Sequence, residues 1–298
     1  MDLKHAKRIK SFKETDKMVK NSDYLLNKTV ASIEKTDYYP EDEAIEIPDW
    51  IINNRNRHGI IEVQPTDTIS AAIYSIYSGD NNTTILNFAS SLFPGGRVLQ
   101  GSSAQEESIC RCTNLYHVLN TKENHERYYD PNMEKINELI GPIDHVEDAF
   151  MRTLNACAGT SSIIYSPNIR IIKRTDNYGD HMETLLPVHV ITCAAPDLNY
   201  LFDYTDKAYI SRIARSDWYK AIMKERCERI LKVAIKKNTG TLILGAFGCG
   251  AFLNDPRVVA TIFKELMTEY RQYFDYIIFS IPNENSTNFK TFKNILGG

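Results

Sequence analysis

The chain has 298 residues, of which 43% are hydrophobic and 24% are charged, as in ordinary soluble globular proteins. Its 35 Lys and Arg residues against 38 Asp and Glu leave a net charge of −3. We therefore expect no unspecific binding to nucleic acid, because neutralising phosphates requires a surplus of cations. The length allows one large domain with an extension, or two small domains.

Neither a membrane span nor a secretory signal is expected. The longest uncharged runs, such as 238–254, fall short of the roughly 20 apolar residues that cross a bilayer. The lysine-rich N-terminus lacks the apolar segment of a signal peptide. These features predict an intracellular protein, cytoplasmic or nuclear and not secreted. Its six cysteines include no CxxC pair, and most of them are expected to be buried thiols rather than metal ligands or disulfides.

The first 36 residues are polar and lysine-rich, and apolar positions such as Met18 and Leu25 predict one or two amphipathic helices. They are expected to pack on the main domain, with a docking arm as the alternative. An acidic loop is predicted at 37–43. We expect residues 1–50 to form an N-terminal helical extension and residues 51–298 to form the main domain.

From residue 60 onwards, apolar runs alternate with helical patterns, which is typical of an α/β fold. Most of the apolar runs have no polar face, as expected for strands covered by helices on both sides. The chain is therefore predicted to form a three-layer α/β/α body. Strands are predicted at 60–63, 83–88, 162–165, 188–193, 241–244 and 276–281.

Two glycine loops follow two of these strands, at the place where α/β folds bind ligands. The first is Pro94-Gly95-Gly96-Arg97, and the second runs from Gly245 to Phe252. Glycine allows positive φ and close approach of the backbone to an anion, although each loop could also be a plain tight turn. After the second loop, Asp255 is predicted to cap a helix that has Pro256 in its first turn.

Two acids and an amide, Gln105-Glu106-Glu107, stand between the first loop and an apolar helical stretch. Acids at a helix N-terminus are favoured by the macrodipole alone. If the glycine loop closes over a pocket, one carboxyl could instead be a general acid with a raised pKa. The paired loops and the acids together predict a diphosphate held between the loops.

These motifs resemble those of poly(ADP-ribose) glycohydrolases (PARGs) of the bacterial, macrodomain-like type. Pro94-Gly95-Gly96-Arg97, followed after seven residues by Gln105-Glu106-Glu107, is similar to the Gly-Gly-Gly…Gln-Glu-Glu signature of that family. The stretches 87–89, 190–196 and 245–252 are similar as well. The resemblance covers roughly residues 55–295.

The resemblance implies a macrodomain with a mixed sheet, and hydrolysis of ribose–ribose bonds in poly(ADP-ribose) that releases ADP-ribose, mainly from the chain terminus. It implies no metal and no cofactor, and it implies poly(ADP-ribosyl)ated proteins as carriers of the substrate. Two alternatives stay open. One is a module that binds ADP-ribose without turnover, and the other is a hydrolase of a different ADP-ribose conjugate.

The resemblance also implies residue roles. Glu107 would protonate the leaving ribose oxygen and then activate water, while Glu106 would hold ribose hydroxyls and Gln105 would shape the pocket. The implied substrate-binding positions are Asn87, Gly95 and Gly96 along the diphosphate and distal ribose, and Gly248, Cys249, Gly250, Ala251 and Phe252 in the diphosphate loop.

Three further expectations concern individual side chains. Arg97 replaces the third glycine of the family signature, which would hinder a loop that needs positive φ there but could also place a cation near phosphate. Adjacent Glu106 and Glu107 are expected to point in different directions, so that one acid and the substrate's diphosphate do the chemistry rather than a carboxylate pair. Tyr128 and Tyr129 are expected in the core, with stacking on adenine as the alternative, and Arg111 is expected in a structural ion pair rather than in contact with a ligand.

Overall fold

A mixed seven-stranded sheet forms the centre of the computed structural model, which describes residues 3–53, 56–80, 82–138, 146–203 and 205–297. The strands are β1 (Asp37–Tyr39), β2 (Ile60–Gln64), β3 (Thr83–Phe88), β4 (Ile163–Lys173), β5 (His181–Cys193), β6 (Thr241–Leu244) and β7 (Tyr276–Ser280). Their order across the sheet is β1-β4-β5-β3-β6-β7-β2.

Helices flank this sheet. They are α1 (Leu3–Asn21), α2 (Asp23–Glu34), α3 (Asp49–Asn53), α4 (Thr68–Tyr77), α5 (Gln105–Cys112), α6 (Leu115–Leu119), α7 (Lys122–Asn124), α8 (Asp130–Asn137), α9 (Val146–Ala158), α10 (Lys207–Ile213), α11 (Asp217–Lys236), α12 (Pro256–Tyr270) and α13 (Thr287–Leu296). Short 3-10 segments lie at Val98–Gln100, Leu198–Asp203 and Arg271–Tyr273, and a π-helical turn at His125–Tyr129.

Parallel pairing dominates the centre of the sheet. β5, β3, β6, β7 and β2 are parallel neighbours, whereas β4 runs antiparallel to β5 and to β1. Adjacent strand residues point to opposite faces, so Leu86 joins the apolar cluster under α11, α12 and α13, while Ile85 joins the cluster under α4, α5 and α6. The predicted three-layer α/β/α architecture is confirmed.

The predicted strands are all present, but β4 and β5 are longer than expected. Their outer halves form a two-stranded antiparallel ribbon, with Lys173 paired to His181. One side of β5 is exposed there, so polar residues alternate with buried ones such as Met182. A search for continuous apolar runs therefore finds only the buried inner halves.

The acidic loop expected at 37–43 is wrong in its first three residues, because Asp37–Tyr39 form β1 and pair with the end of β4. The half-buried aromatic rings of Tyr38 and Tyr39 favour a strand. Buried Arg229 of α11 then fixes the following segment by donating to the carbonyls of Pro40 and Glu43. The division of the chain at residue 50 stays a prediction.

Two helices form from the lysine-rich N-terminus, and α1 packs on the body through polar contacts. The fully buried ammonium of Lys173 donates to the carbonyl of Ser11 at 2.8 Å and pairs with Glu14 at 2.8 Å. Thr15 donates to the carbonyl of Arg111 at 2.5 Å, which ties α1 to the C-terminal end of α5.

The remaining side-chain expectations concern thiols and an ion pair. All six cysteines are free, and five of them are buried while Cys249 is half-buried, which confirms the prediction of buried thiols for five. Arg111 is fully buried and pairs with Asp176 at 2.7 Å, so the predicted structural ion pair is confirmed. Across the described ranges, no helix is long and apolar enough to cross a membrane.

Candidate active site

The two glycine loops lie side by side because the strands before them are parallel neighbours. β3 pairs with β6 in parallel, with Ile85 opposite Ile243, so the loops leave the same edge of the sheet. β5 lies on the other side of β3 and ends at the same edge, with Cys193 opposite Phe88. Three segments therefore meet there, the two glycine loops and the stretch 194–197.

The first loop turns sharply at its two glycines and not at Arg97. Gly95 and Gly96 have φ of +67° and +55°, whereas Arg97 has φ of −103°. Only the first two positions therefore need glycine, and the backbone accepts arginine at the third without strain. The Arg97 side chain is exposed.

Gln105 anchors the start of α5 to the end of β3. Its side-chain oxygen accepts a hydrogen bond from the Phe88 amide at 2.8 Å, and its amide group donates to the Leu86 carbonyl at 2.7 Å. A third bond, to the Thr68 hydroxyl at 3.1 Å, completes its partners. These bonds hold the first turn of α5, and with it the two acids, over the carboxyl end of β3.

The two acids converge on the first glycine loop. A Cβ on Gly96 would lie 2.7 Å from Glu107 Oε1 and 3.0 Å from Glu106 Oε2. The expectation that the two side chains point in different directions is therefore wrong. The positive φ values of the loop fold it back over the first turn of α5, so both carboxyls reach the same point on it.

The loop and its neighbours hold each carboxyl by hydrogen bonds. Glu106 accepts from the Ser90 amide at 2.7 Å and from the Asn87 side-chain amide at 3.2 Å. Glu107 Oε1 accepts from the Arg97 amide at 2.9 Å. The described residues offer no hydrogen bond to Glu107 Oε2, so one oxygen of this carboxyl is unoccupied by protein.

Both acids are buried, and Glu106 is only 2% exposed. Burial raises the pKa of Glu106 to about 8, and the charge of Glu107 adds to this rise, while the bonds from Ser90 and Asn87 oppose it. Glu106 is therefore protonated at neutral pH. Beneath it, the buried Oδ1 of Asn87 has no hydrogen-bond partner among the described residues.

The second loop uses the backbone amides of Phe247 and Cys249 in its own turn but leaves others unused. The N–H groups of Gly248, Gly250, Ala251 and Phe252 find no acceptor in the described parts of the chain. Gly250 and Ala251 are exposed, so these donors are accessible to a ligand. Consecutive free amides of this kind form a concavity that binds anions.

The loop ends in a capped helix, as predicted. Asp255 is the N-cap of α12 and accepts from the Arg257 amide at 2.8 Å, with Pro256 in the first turn. Within the loop, burial raises the pKa of the Cys249 thiol, so it stays protonated and is a poor nucleophile. No group of three or more His, Cys, Asp and Glu side chains in the described ranges could hold a metal ion.

The chain matches a known protein family. A family model described as "Microbial-type PARG, catalytic domain" matches residues 12–174, more than half of the chain. The chain belongs to the microbial-type PARG family. A search of curated proteins finds no match.

Solved PARG structures share the whole fold. The PARG of Deinococcus radiodurans, solved in complex with ADP-ribose, is 27% identical, covers 89% of this chain and 96% of its own, and gives a TM-score of 0.70. The PARG of Thermomonospora curvata is 21% identical over 97% of this chain and 99% of its own, with a TM-score of 0.72. Its complex with the inhibitor ADP-HPD is 23% identical over 96% and 98%, with a TM-score of 0.70.

The structure brings the PARG-like residues together at one edge of the sheet, but the sequence reasoning missed two groups that hold them. Arg8 of α1 donates to the carbonyl of Gly101, just after the first loop, at 2.6 Å. Buried Asn254 holds the second loop. Asn254 directly precedes the predicted N-cap Asp255, and this position could have drawn attention to it. The sequence around Arg8 has no comparable feature. Tyr128 and Tyr129 are 1% exposed, which confirms their predicted place in the core.

Proposed function

We propose that this microbial-type PARG hydrolyses ribose–ribose bonds of poly(ADP-ribose) mainly at the chain terminus, with Glu107 as the acid and then the base. Family membership makes the chain a poly(ADP-ribose) glycohydrolase, a glycosidase. The observation that carries the residue assignment is the convergence of two buried carboxyls on Gly96, beside a loop of free amides. A module that only binds ADP-ribose has no need of acids at this point.

Glu107 has the geometry of an acid and base. Its Oε1 is held by the Arg97 amide, while Oε2 is free to carry a proton toward the substrate. That proton passes to the leaving ribose oxygen as the bond from that oxygen to the anomeric carbon breaks, through an oxocarbenium-like state. The resulting carboxylate then takes a proton from water, whose oxygen bonds to the anomeric carbon. The products are free ADP-ribose and a polymer one unit shorter.

Glu106 supports this step as a neutral acid. Because its pKa is raised to about 8, it can both donate to and accept from ribose hydroxyls at neutral pH. Its neutrality also avoids a second negative charge beside Glu107 once Glu107 has passed its proton to the leaving oxygen. Like charges this close could not both be ionised without a large cost.

The diphosphate is assigned to the second loop. Gly248, Gly250, Ala251 and Phe252 present free N–H groups, and Gly95 and Gly96 allow the substrate to approach the first loop closely. Phe252 is half-buried beside these donors, and its proposed role is to orient the distal ribose. Asn87, under Glu106, completes this part of the pocket.

Recognition of one terminal unit accounts for binding of a polyanion by a chain of net charge −3. Backbone amides attract a single diphosphate without a general field of cations. The polymer would be presented by poly(ADP-ribosyl)ated proteins, and we place the reaction inside the cell.

The test incubates the protein and its Glu107→Gln variant with poly(ADP-ribose) and measures released ADP-ribose by chromatography. We expect turnover to fall about 1,000-fold, because a positioned acid contributes roughly 100- to 10,000-fold. The affinity for ADP-ribose should change little. Glu183→Gln, the same change at an exposed site on β5, should leave turnover intact.

Each outcome separates the functions. No release by the unmodified protein, with ADP-ribose still bound, would establish a reader instead. Release of ADP-ribose from other conjugates but not from the polymer would establish the alternative hydrolase. Equal release by Glu107→Gln would remove Glu107 from its role.

A further inference from the structure

We propose that Asn254 is a positioning residue that locks the diphosphate loop, and that Tyr219 in turn positions Asn254. This inference rests on the proposed function, because it assigns the substrate's diphosphate to the free amides of Gly248, Gly250, Ala251 and Phe252. In the described structure, the Asn254 side chain makes no hydrogen bond to Glu106, Glu107 or the free N–H groups of the loop.

Asn254 joins three parts of the structure. It is 3% exposed, and its Nδ2 group donates to the carbonyls of Pro196 and Gly248, both at 2.9 Å. Its Oδ1 accepts from the hydroxyl of Tyr219 at 2.6 Å. The side chain therefore uses both of its N–H bonds and its oxygen, and it links the second loop to the segment after β5 and to α11.

Close packing around these bonds fixes the backbone of Gly248. Gly248 has φ of +70°, and a Cβ there would collide with Nδ2 of Asn254 and lie 2.6 Å from the Cβ of Ala195. The backbone N–H of Asn254 also donates to the Gly248 carbonyl at 3.1 Å, which closes the loop on itself. The position of Gly248 is therefore set by the Asn254 amide.

The neighbouring backbone needs such support. Leu253 has φ of +61°, a conformation that is unfavourable for a branched, bulky side chain. Strained residues persist where the surrounding structure holds them in place. The bonds of Asn254, the next residue, supply that constraint, so their loss should let the loop relax away from its present shape.

The consequence falls on substrate binding rather than on proton transfer. An anion gains from several N–H groups only when they point at it together, so a relaxed loop binds the diphosphate more weakly. Glu106 and Glu107 are held by the first loop and by Asn87, and they share no hydrogen bond with Asn254. Binding should therefore weaken more than turnover slows.

The decisive comparison uses two Tyr→Phe changes on one pair of helices. Tyr219→Phe removes the hydroxyl that holds Asn254, while the amide and its bonds to the loop remain. Tyr270→Phe is the matched control, since buried Tyr270 of α12 donates to Glu228 of α11 at 2.7 Å. Both variants lose one hydroxyl bond of similar length, but only Tyr219 is connected to the loop.

We expect Tyr219→Phe to raise the Kd for ADP-ribose, measured by calorimetry, about 5-fold. Its KM for poly(ADP-ribose) should rise similarly, with kcat within about 2-fold. Asn254→Ala should raise the Kd more, by about 20-fold or beyond. Tyr270→Phe should lower the melting temperature without changing the Kd.

Equal Kd values for Tyr219→Phe and the unmodified protein would overturn the proposal, as would equal Kd changes in the two Tyr→Phe variants. If Asn254→Ala fails to fold, Tyr219→Phe decides the matter alone. The affinity for ADP-ribose is measured without turnover. An inactive protein that binds ADP-ribose would therefore contradict the proposed function. The Kd values of the variants would still test this inference.

Discussion

The two glycine loops follow neighbouring parallel strands, yet they use their backbone amides in opposite ways. In the first loop, the Gly96 amide donates to Phe93 and the Arg97 amide to Glu107. In the second, the N–H groups of Gly250, Ala251 and Phe252 have no acceptor within the described structure. The first loop therefore binds the carboxyls of Glu106 and Glu107, and the second has N–H groups left over that an anion could accept.

The loops also differ in what holds them. Arg8 of α1 donates to the carbonyl of Gly101, and Gly101, with φ of +78°, packs so closely that a Cβ would lie 2.6 Å from the His5 carbonyl. The first loop is thus supported from outside by the N-terminal helix, and the second from inside by Asn254. We propose that the first loop serves chemistry and the second serves binding, so changes in the first loop should reduce turnover and changes in the second should reduce affinity.

Among the changes that test this comparison of the two loops, Gly96→Ala should have the largest effect. The new methyl group would meet both carboxyls at 3.0 Å or less, at a φ that alanine disfavours. The acids must then move away from the loop, and a misplacement of about 1 Å can cost about 100-fold in rate. We expect kcat to fall about 100-fold, with a smaller change in the Kd for ADP-ribose.

Gly79→Ala is the control, because Gly79 also has positive φ, at +100°, but a Cβ there meets nothing within 4 Å. It should lower the free energy of unfolding by roughly 1 kcal/mol and leave turnover unchanged. If Gly96→Ala weakened binding while kcat stayed normal, the assignment of the first loop to chemistry would be wrong.

This contrast between the loops was beyond the reach of the sequence, although much of the fold was not. Apolar runs predicted β2 to β7 but not β1, and glycine after a buried strand predicted both loops, because these are local patterns. Which N–H groups of a loop find an acceptor depends on residues that are distant in the chain. The side chain of Asn254, for example, holds the second loop through a bond to Pro196, 58 residues away. The convergence of Glu106 and Glu107 likewise depends on the fold of the first loop. Arg97 is tolerated because its φ is negative, which its residue type does not reveal.

The charge of Glu106, which lies against the first loop, can be tested through the stability of the protein. The pKa of Glu106 is raised from 4.5 to about 8 in the folded state. Between these values the folded protein keeps a proton that the unfolded chain has lost, so the free energy of unfolding should fall as the pH rises through this window. We expect this group to account for roughly 3 kcal/mol or more of that fall.

Urea unfolding at pH 6 and pH 9 measures the effect. Glu106→Gln carries no ionisable proton, so its free energy of unfolding should fall less between the two pH values than that of the unmodified protein. Exposed Glu183→Gln should behave like the unmodified protein. If the free energy of unfolding decreased equally in all three proteins, Glu106 would be charged at neutral pH. The first loop would then face a carboxylate, just as the second loop is proposed to face a diphosphate.

The smallest expected effect concerns the outer support of the first loop. Arg8→Ala removes the bond to the Gly101 carbonyl and frees the segment between that loop and α5. Gly101 keeps its packing on α1, so the Glu107 carboxyl should shift only slightly relative to the Arg97 amide. We expect kcat to fall about 3-fold, with an unchanged Kd for ADP-ribose, since the bonds that hold the second loop come from Asn254. Lys7→Ala removes a neighbouring exposed cation from the same helix and controls for the change in charge. An equal loss in the two variants would assign the effect to charge, whereas a loss of affinity in Arg8→Ala alone would show that α1 supports binding as well as chemistry.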